Sequence, residues 1–283
     1  MDKILYVSDL DGTLLNSSQA LSEQSLKLLN TWIKKGIHFS IATARTPATV
    51  TEILQELTIS IPVVLMNGSV LYDLKNQHYI KVEYIAEEVV KLIMQNLGSL
   101  CYEGFIYTIV EDKLLVYYEN LINDYQKIFF DERQDKPQKT FVKKHLEDYS
   151  KVVYFTFMDT YEKIEVIYKK IEQLPGLALS MYRDIYNEGA YFLEVYSDRA
   201  TKANAVISLK EQYDYDKIIS FGDNLNDLTM FKISDECYAV YNAHPTVKES
   251  ATGVILHHDD DAVAKFIDEH QTLAKRRERI TEC

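Results

Sequence analysis

Two carboxylates separated by a single residue, Asp9 and Asp11, stand where the apolar run "ILYVS" ends, and Gly12 and Thr13 follow them. A second apolar run, "IHFSIAT", leads into Thr43 and Arg45 of "ATAR". A third, "KIISF", leads into "GDNLND", which holds Gly222, Asp223, Asn224, Asn226 and Asp227. Lys202 opens a helix-patterned stretch from 201 to 211. Each has an ordinary reading taken alone. An aspartate after a strand commonly caps a helix or forms a turn, Thr43 can cap the helix behind it, and a lysine is normally solvated. Brought together, Asp9, Asp11, Asp223 and Asp227 would repel by about 4 kcal/mol per pair at 4 Å and an effective dielectric of 20. Such an arrangement calls for a cation. Oxygen-only ligands select a hard ion, and a site that keeps positions for water and phosphate suits Mg²⁺. Lys202 in a first helical turn opposes the helix dipole by roughly 0.3–1 kcal/mol, a cost that makes sense if its ammonium serves the same crevice.

An open parallel sheet would position these groups, because its ligand crevice lies beyond the carboxyl ends of the strands. The N-terminal rhythm fits one. "ILYVS", "IHFSIAT" and "IPVVLMN" are short continuous apolar runs of the kind buried on both faces, and helix patterns separate them. Ser22 is placed to cap the first helix, Leu26, Leu29 and Ile33 form its apolar stripe, and Gly36 follows as its stop. The second helix is expected over "ATVTEILQEL". "SVLYD" and "HYIKV" read as a hairpin around Leu74 to Gln77. From 84 to 194 the texture changes: helical stretches near 86–97 and 161–172 alternate with strand-like "FIYTIV", "LLVYY", "KVVYFTFM", "LALSMY" and "YFLEVY". The parallel rhythm then returns with helix 201–211, strand "KIISF", helix 225–231, strand "CYAV", a short helix near 245, strand "GVIL" and a last helix from about 260. The expectation is an α/β fold, a Rossmann-like parallel-sheet core formed by 1–83 and 195–283, interrupted by an α+β domain over 84–194.

The 283 residues suit two domains, and 47% hydrophobic content supports a sizeable core. A formal charge of −12 argues against nucleic-acid and anionic-membrane partners, which need a basic face. The one dense basic cluster, "KRRER", is interrupted by Glu278 and reads as a solvated helix end. Cys101, Cys237 and Cys283 are too few and too scattered for a disulfide framework or a metal site, which fits a cytoplasmic setting. With the first strand beginning at residue 4 no signal peptide is expected, and no apolar run approaches the roughly 18–20 residues of a membrane span.

"DLDGT", the threonine of "ATAR", Lys202 and "GDNLND" resemble the four signature motifs of the haloacid dehalogenase superfamily, in order and spanning residues 9 to 227. The second aspartate of "DLDGT" resembles its phosphatases rather than its dehalogenases. The long interval between "ATAR" and Lys202 is similar to the Cof-like branch with a large inserted α/β cap, as are "MNGS" and "NAHPTVKESA". The resemblance implies a Mg²⁺-dependent phosphatase acting on small phosphomonoesters such as sugar phosphates or phosphorylated cofactors. It implies Asp9 as nucleophile forming an aspartyl-phosphate, and Asp11 as the acid that protonates the leaving group and then activates water. It further implies that Lys202 neutralises charge and that Thr43 and Asn226 contact phosphate or substrate. Asp9, Asp223 and the Asp11 carbonyl would bind the metal, Asp227 would orient them, and the cap would close over the crevice. "TAR" stands for the branch's usual "TGR", Ala203 and Tyr241 stand where glycine is frequent, and "HHDDDAV" replaces a typical Asn/Glu-Asp-Gly stretch. None of these removes a catalytic group. A phosphomutase or phosphotransferase could use the same aspartyl-phosphate, and a non-catalytic phosphometabolite-binding protein could dispense with Asp9 or Asp11, both of which are present.

Four features have other readings. The tyrosine-rich middle region reads either as strand packing, since tyrosine favours strands, or as a substrate-facing cluster that stacks on sugar or heteroaromatic rings. In "HHDDD", Asp259 or Asp260 reads as the cap of the last helix rather than part of a metal site. His244, before Pro245, reads as a loop residue, while Arg45 either touches substrate or pairs with an acidic neighbour.

Overall fold

A computed structural model of the chain describes residues 2–184 and 189–281. It divides into two compact units, Met1–Ile80 with Thr201–Cys283, and Lys81–Ala200.

The first unit begins with β1 (Ile4–Ser8), α1 (Glu23–Lys34), β2 (His38–Ile41), α2 (Pro47–Ile53), β3 (Val63–Leu65), β4 (Val70–Asp73) and β5 (His78–Val82), where the division between the units falls. The second unit contributes α3 (Glu87–Leu97), β6 (Phe105–Val110), β7 (Lys113–Tyr118), α4 (Asp124–Asp131), β8 (Lys139–Lys143), β9 (Val152–Asp159), α5 (Tyr161–Ile171), β10 (Leu177–Arg183) and β11 (Tyr191–Ser197). The chain then returns to the first unit with α6 (Lys202–Tyr213), β12 (Lys217–Gly222), α7 (Leu228–Phe231), β13 (Glu236–Ala239), α8 (Pro245–Ser250), β14 (Gly253–Val254) and α9 (Ala262–Thr281).

In the first unit the strands lie in the order β14-β13-β12-β1-β2, and every pair is parallel. A parallel bridge between Ala42 and Val64 sets β3 beside β2, and β3, β4 and β5 continue as a three-stranded sheet that contains the expected hairpin. Leu5, Tyr6 and Val7 at the centre are fully buried, as a strand covered on both faces requires. The register decides where chemistry is possible. Ser8 lies opposite both Phe221 and Ile41, so Asp9, Ala42 and Gly222, the last residue of β12, stand side by side at one edge. Hydrogen bonds from the Asp9 N–H to the Phe221 carbonyl (2.9 Å) and from the Ala42 N–H to the Ser8 carbonyl (2.8 Å) lock that edge.

Helix α1 starts at Ser22, whose hydroxyl accepts the Ser25 N–H, and its buried stripe is Ser25, Leu29 and Trp32, with Leu26 and Ile33 half-buried at the margin. Helix α2 stops at Ile53, short of the expected Leu57. The expected helix over 225–231 is a single tight turn, Leu225–Asp227, followed by α7. The expected cap of the last helix is corrected. Asp261, in the left-handed region at φ 60°, immediately precedes Ala262, and its carboxylate receives the hydroxyls of Ser22 and Ser25. Asp259 instead receives the N–H and hydroxyl of Ser17, both at 2.7 Å. Lys275 and Arg276 of the basic cluster are exposed, and Cys283 lies outside the described residues.

The second unit is a six-stranded sheet in the order β10-β11-β9-β6-β7-β8, antiparallel except for β7 with β8. Ile93 of α3 and Ile164 and Ile167 of α5 pack with Phe155, Phe157, Leu193 and Val195 in its core. Neither α4 nor β8 is expected from the sequence. Several tyrosines serve packing: Tyr154 stacks on Tyr196 with centroids 5.1 Å apart, and its hydroxyl joins that of Tyr182 on Glu194 at 2.7 and 2.9 Å. Among the described residues no helix is long and apolar enough to cross a membrane.

Candidate active site

At the strand edge of the first unit, the backbone delivers three carboxylates and one ammonium to a single spot. Asp9 ends β1 and is 6% exposed. Its Oδ1 accepts from Lys202 Nζ at 2.5 Å, and the same ammonium donates to Asp227 Oδ1 at 2.7 Å. Lys202 is the first residue of α6, after Thr201, whose hydroxyl caps the helix by accepting the Asn204 N–H. The unfavourable helix dipole there is met by two carboxylates on a lysine only 2% exposed. Asp227 is fully buried, and its Oδ2 accepts the N–H groups of Asp223 and Asn224, each at 3.0 Å. Both of its oxygens are thus committed within the protein. Asp223 faces the same spot, with its Oδ1 accepting the Thr13 hydroxyl at 3.0 Å. Asp9, Asp223 and Asp227 each offer an oxygen within 4.8 Å of the others.

Two glycines leave room for this. A Cβ on Gly222 would lie 2.6 Å from the Cβ of Asp227, and one on Gly12 would lie 2.6 Å from Asp223 Oδ2, where Gly12 also holds φ at 72°. The loop after β13 props the arrangement: Asn242 donates to the Gly12 carbonyl at 2.8 Å, and the His244 N–H donates to the Asp223 carbonyl at 2.8 Å. Asn242 carries no signal in the sequence beyond its place in "NAHPTVKESA". His244 also caps α8, its Nδ1 accepting the Thr246 N–H.

The expected meeting of four carboxylates reduces to three. Asp11 turns to Arg45, whose Nε and Nη2 reach its two oxygens at 2.7 and 2.5 Å while Nη2 also reaches Gln19 at 2.8 Å. A planar guanidinium matches a carboxylate in two places at once, and this grip holds the half-exposed Asp11 side chain away from the buried trio. Thr43 is buried, with its hydroxyl oxygen accepting the Arg45 N–H at 3.2 Å. Asn226 is exposed and donates to Asn67 at 3.5 Å.

The electrostatics ask for more positive charge than the chain supplies. Burial, reinforced by Asp227 and Asp223, pushes the Asp9 carboxyl well above the usual aspartate range despite the opposing pull of Lys202. Burial and then the charge of Asp227 push Asp223 up to about 6, against the Thr13 hydrogen bond and Lys202. Burial works against the Lys202 ammonium, yet Asp227 and Asp9 outweigh it and hold its pKa above the ordinary lysine value. Three carboxylates and one ammonium leave two negative charges, which one divalent cation cancels. The donors are all oxygen, and the gap at Gly12 leaves Asp223 Oδ2 uncrowded, so these residues fit a hard ion such as Mg²⁺.

The sequence profile described as haloacid dehalogenase-like hydrolase matches residues 6–267. A Mycoplasma genitalium protein provisionally named a phosphatase is 28% identical over 87% of this chain and 90% of its own length. The Bacillus subtilis protein YcsE, named 5-amino-6-(5-phospho-D-ribitylamino)uracil phosphatase, is 25% identical over 94% of this chain and 95% of its own. The crystal structure of TM0651 from Thermotoga maritima shares the fold, with a TM-score of 0.73 at 23% identity, covering 95% of this chain and 97% of that one.

Proposed function

The chain belongs to the haloacid dehalogenase-like hydrolase family, and from that premise we propose that it is a Mg²⁺-dependent phosphatase of small phosphomonoesters working through an aspartyl-phosphate on Asp9. The observation that carries this reading is the buried Lys202 bonded to both Asp9 and Asp227, with Asp223 sharing the same space.

Asp9 attacks phosphorus, and the bond to the leaving alkoxide breaks as the bond to the carboxylate forms. A carboxylate approaching a dianionic phosphate meets about 8 kcal/mol of repulsion at 4 Å and an effective dielectric of 20, enough to forbid the reaction uncompensated. Lys202 supplies part of the compensation at a fixed position. Mg²⁺ on Asp9, Asp223 and the Asp11 carbonyl would supply the rest by neutralising phosphoryl charge. Asp227 orients Lys202 and the backbone of Asp223 and Asn224. Thr43 donates its hydroxyl to a phosphate oxygen, and Asn226 contacts phosphate or substrate. Asp11 protonates the leaving oxygen and then takes a proton from the water that attacks the phosphoryl group, which requires the Arg45 grip to loosen as substrate binds.

The relative named for a phosphorylated ribitylaminouracil supports a polyol- or sugar-phosphate substrate class for this chain. The test is phosphate release from a panel of sugar and polyol phosphates with Mg²⁺, for wild type and Asp9→Asn. Release by wild type and none by a folded Asp9→Asn is expected; retained turnover in Asp9→Asn removes the nucleophile and with it the proposal.

A further inference from the structure

Within the second unit, the end of β9, the start of α5 and the turn Gly98–Glu103 surround a cavity of about 360 Å³. Its floor is apolar, because Phe157, Ile164 and Ile167 are buried members of the unit's core. Ile122 and Val166 line it too, and they are 42% and 51% exposed. Single exposed apolar side chains are ordinary, but two on the wall of one cavity leave a continuous apolar surface facing water. The volume falls within the range of about 300–1,000 Å³ found for small-molecule sites.

The charged groups on the wall decide what kind of molecule fits. Asp159 is already satisfied: its carboxylate accepts the Thr160 N–H, the Asn123 amide and Lys163 Nζ at 2.7, 2.9 and 3.0 Å. Lys163, the ammonium on the wall, is therefore taken. Glu162 is held below the usual glutamate range by its own N–H and then by the Thr160 hydroxyl, and so stays charged. Glu103 is different. It is half-buried, its carbonyl is fixed by Gln126 Nε2 at 2.7 Å, and its carboxylate has no hydrogen-bond or ion-pair partner among the described residues. A carboxylate partly out of water and unpaired keeps its full capacity for a charge-assisted hydrogen bond. An anionic ligand would meet Glu103 and Glu162 with Lys163 already committed to Asp159, whereas a cation completes the pairing. We propose that this cavity binds a small organic cation, its apolar body on Phe157, Ile164 and Ile167 and its ammonium on Glu103.

The experiment is titration of the full chain with phenethylammonium, and with phenethyl alcohol and hydrocinnamate as its neutral and anionic counterparts, followed by NMR of the Ile122 and Val166 methyl groups. The ammonium is expected to shift both methyls saturably, with the alcohol and the acid binding about ten-fold or more weakly. Glu103→Gln should erase the advantage of the ammonium over the alcohol. Val166→Lys, which tethers a competing ammonium to the wall, should weaken the added one about ten-fold. Equal affinity for the three probes, an ammonium advantage that survives Glu103→Gln, or no saturable shift of either methyl overturns the proposal. Methyl shifts that grow with protein concentration in the absence of probe, the sign of a second copy docking there, overturn it as well. Neither substituted residue is buried, and circular dichroism verifies that both variants fold. The readout is binding, so it stands or falls independently of the phosphatase reading.

Discussion

Replacing Lys202 by methionine removes the buried cation of the catalytic edge while preserving its apolar stem. In the structure Nζ sits 2.5 Å from Asp9 and 2.7 Å from Asp227. At an effective dielectric of 20 each contact is worth about 6 kcal/mol of attraction, against a desolvation penalty of several kcal/mol for each buried ion. Breaking such a pair from one side leaves the partner charges uncompensated, and the expected loss is about 3–5 kcal/mol. The deficit must also depend on pH. Without the ammonium, the already raised Asp9 pKa rises further above its unfolded value, so the folded variant binds protons more readily than the unfolded chain. Stability lost at pH 8 is therefore recovered as pH falls toward 5. Urea unfolding of wild type and Lys202→Met at pH 8 and pH 5 measures both effects. A deficit under about 1 kcal/mol at pH 8, or one equal at the two pH values, refutes the charge balance drawn here.

Lys139 gives the opposite pH signature in the second unit: burial, then the charge of Arg133, lowers its pKa to about 7. Its folded pKa lies below the unfolded one, so Lys139→Met should be more stable than wild type at pH 6 by up to about 4–5 kcal/mol, with the gap closing between pH 7 and 10; a pH-independent gap in thermal unfolding contradicts this. Gly222→Ala pushes a methyl group into Asp227 and should cost about 1–3 kcal/mol and most of the turnover, measured by denaturation and phosphate release. Arg45→Ala breaks a partly exposed pair and should change stability by less than about 1 kcal/mol and, since the grip must loosen for Asp11 to act, leave kcat equal to or above wild type; a ten-fold fall in kcat contradicts this.

The carboxylates were legible because parallel strands buried on both faces are continuous apolar runs, and the residues after them share one edge whatever the loops do. That is how Asp9, Thr43 and Asp223 could be placed, and Lys202 by the oddity of a lysine at a helix start. The Asp11–Arg45 pair spans residues far apart in sequence, and no local pattern encodes it. Helix α4 is short, and β8, "KTFVK", hides behind a buried lysine that sequence reasoning assigns to solvent. Asp259 is not available to cap α9 because Ser17 captures its carboxylate, a contact between segments 242 residues apart.

The most direct test is to quench the enzyme with acid during turnover of a ³²P-labelled phosphomonoester in Mg²⁺ and map the label. An acyl phosphate on the peptide containing Asp9, absent in Asp9→Asn and in chelator, is the expected result. Wild-type turnover with no label on that peptide, or label on another residue, would contradict the assignment of Asp9 as the group that accepts the phosphoryl.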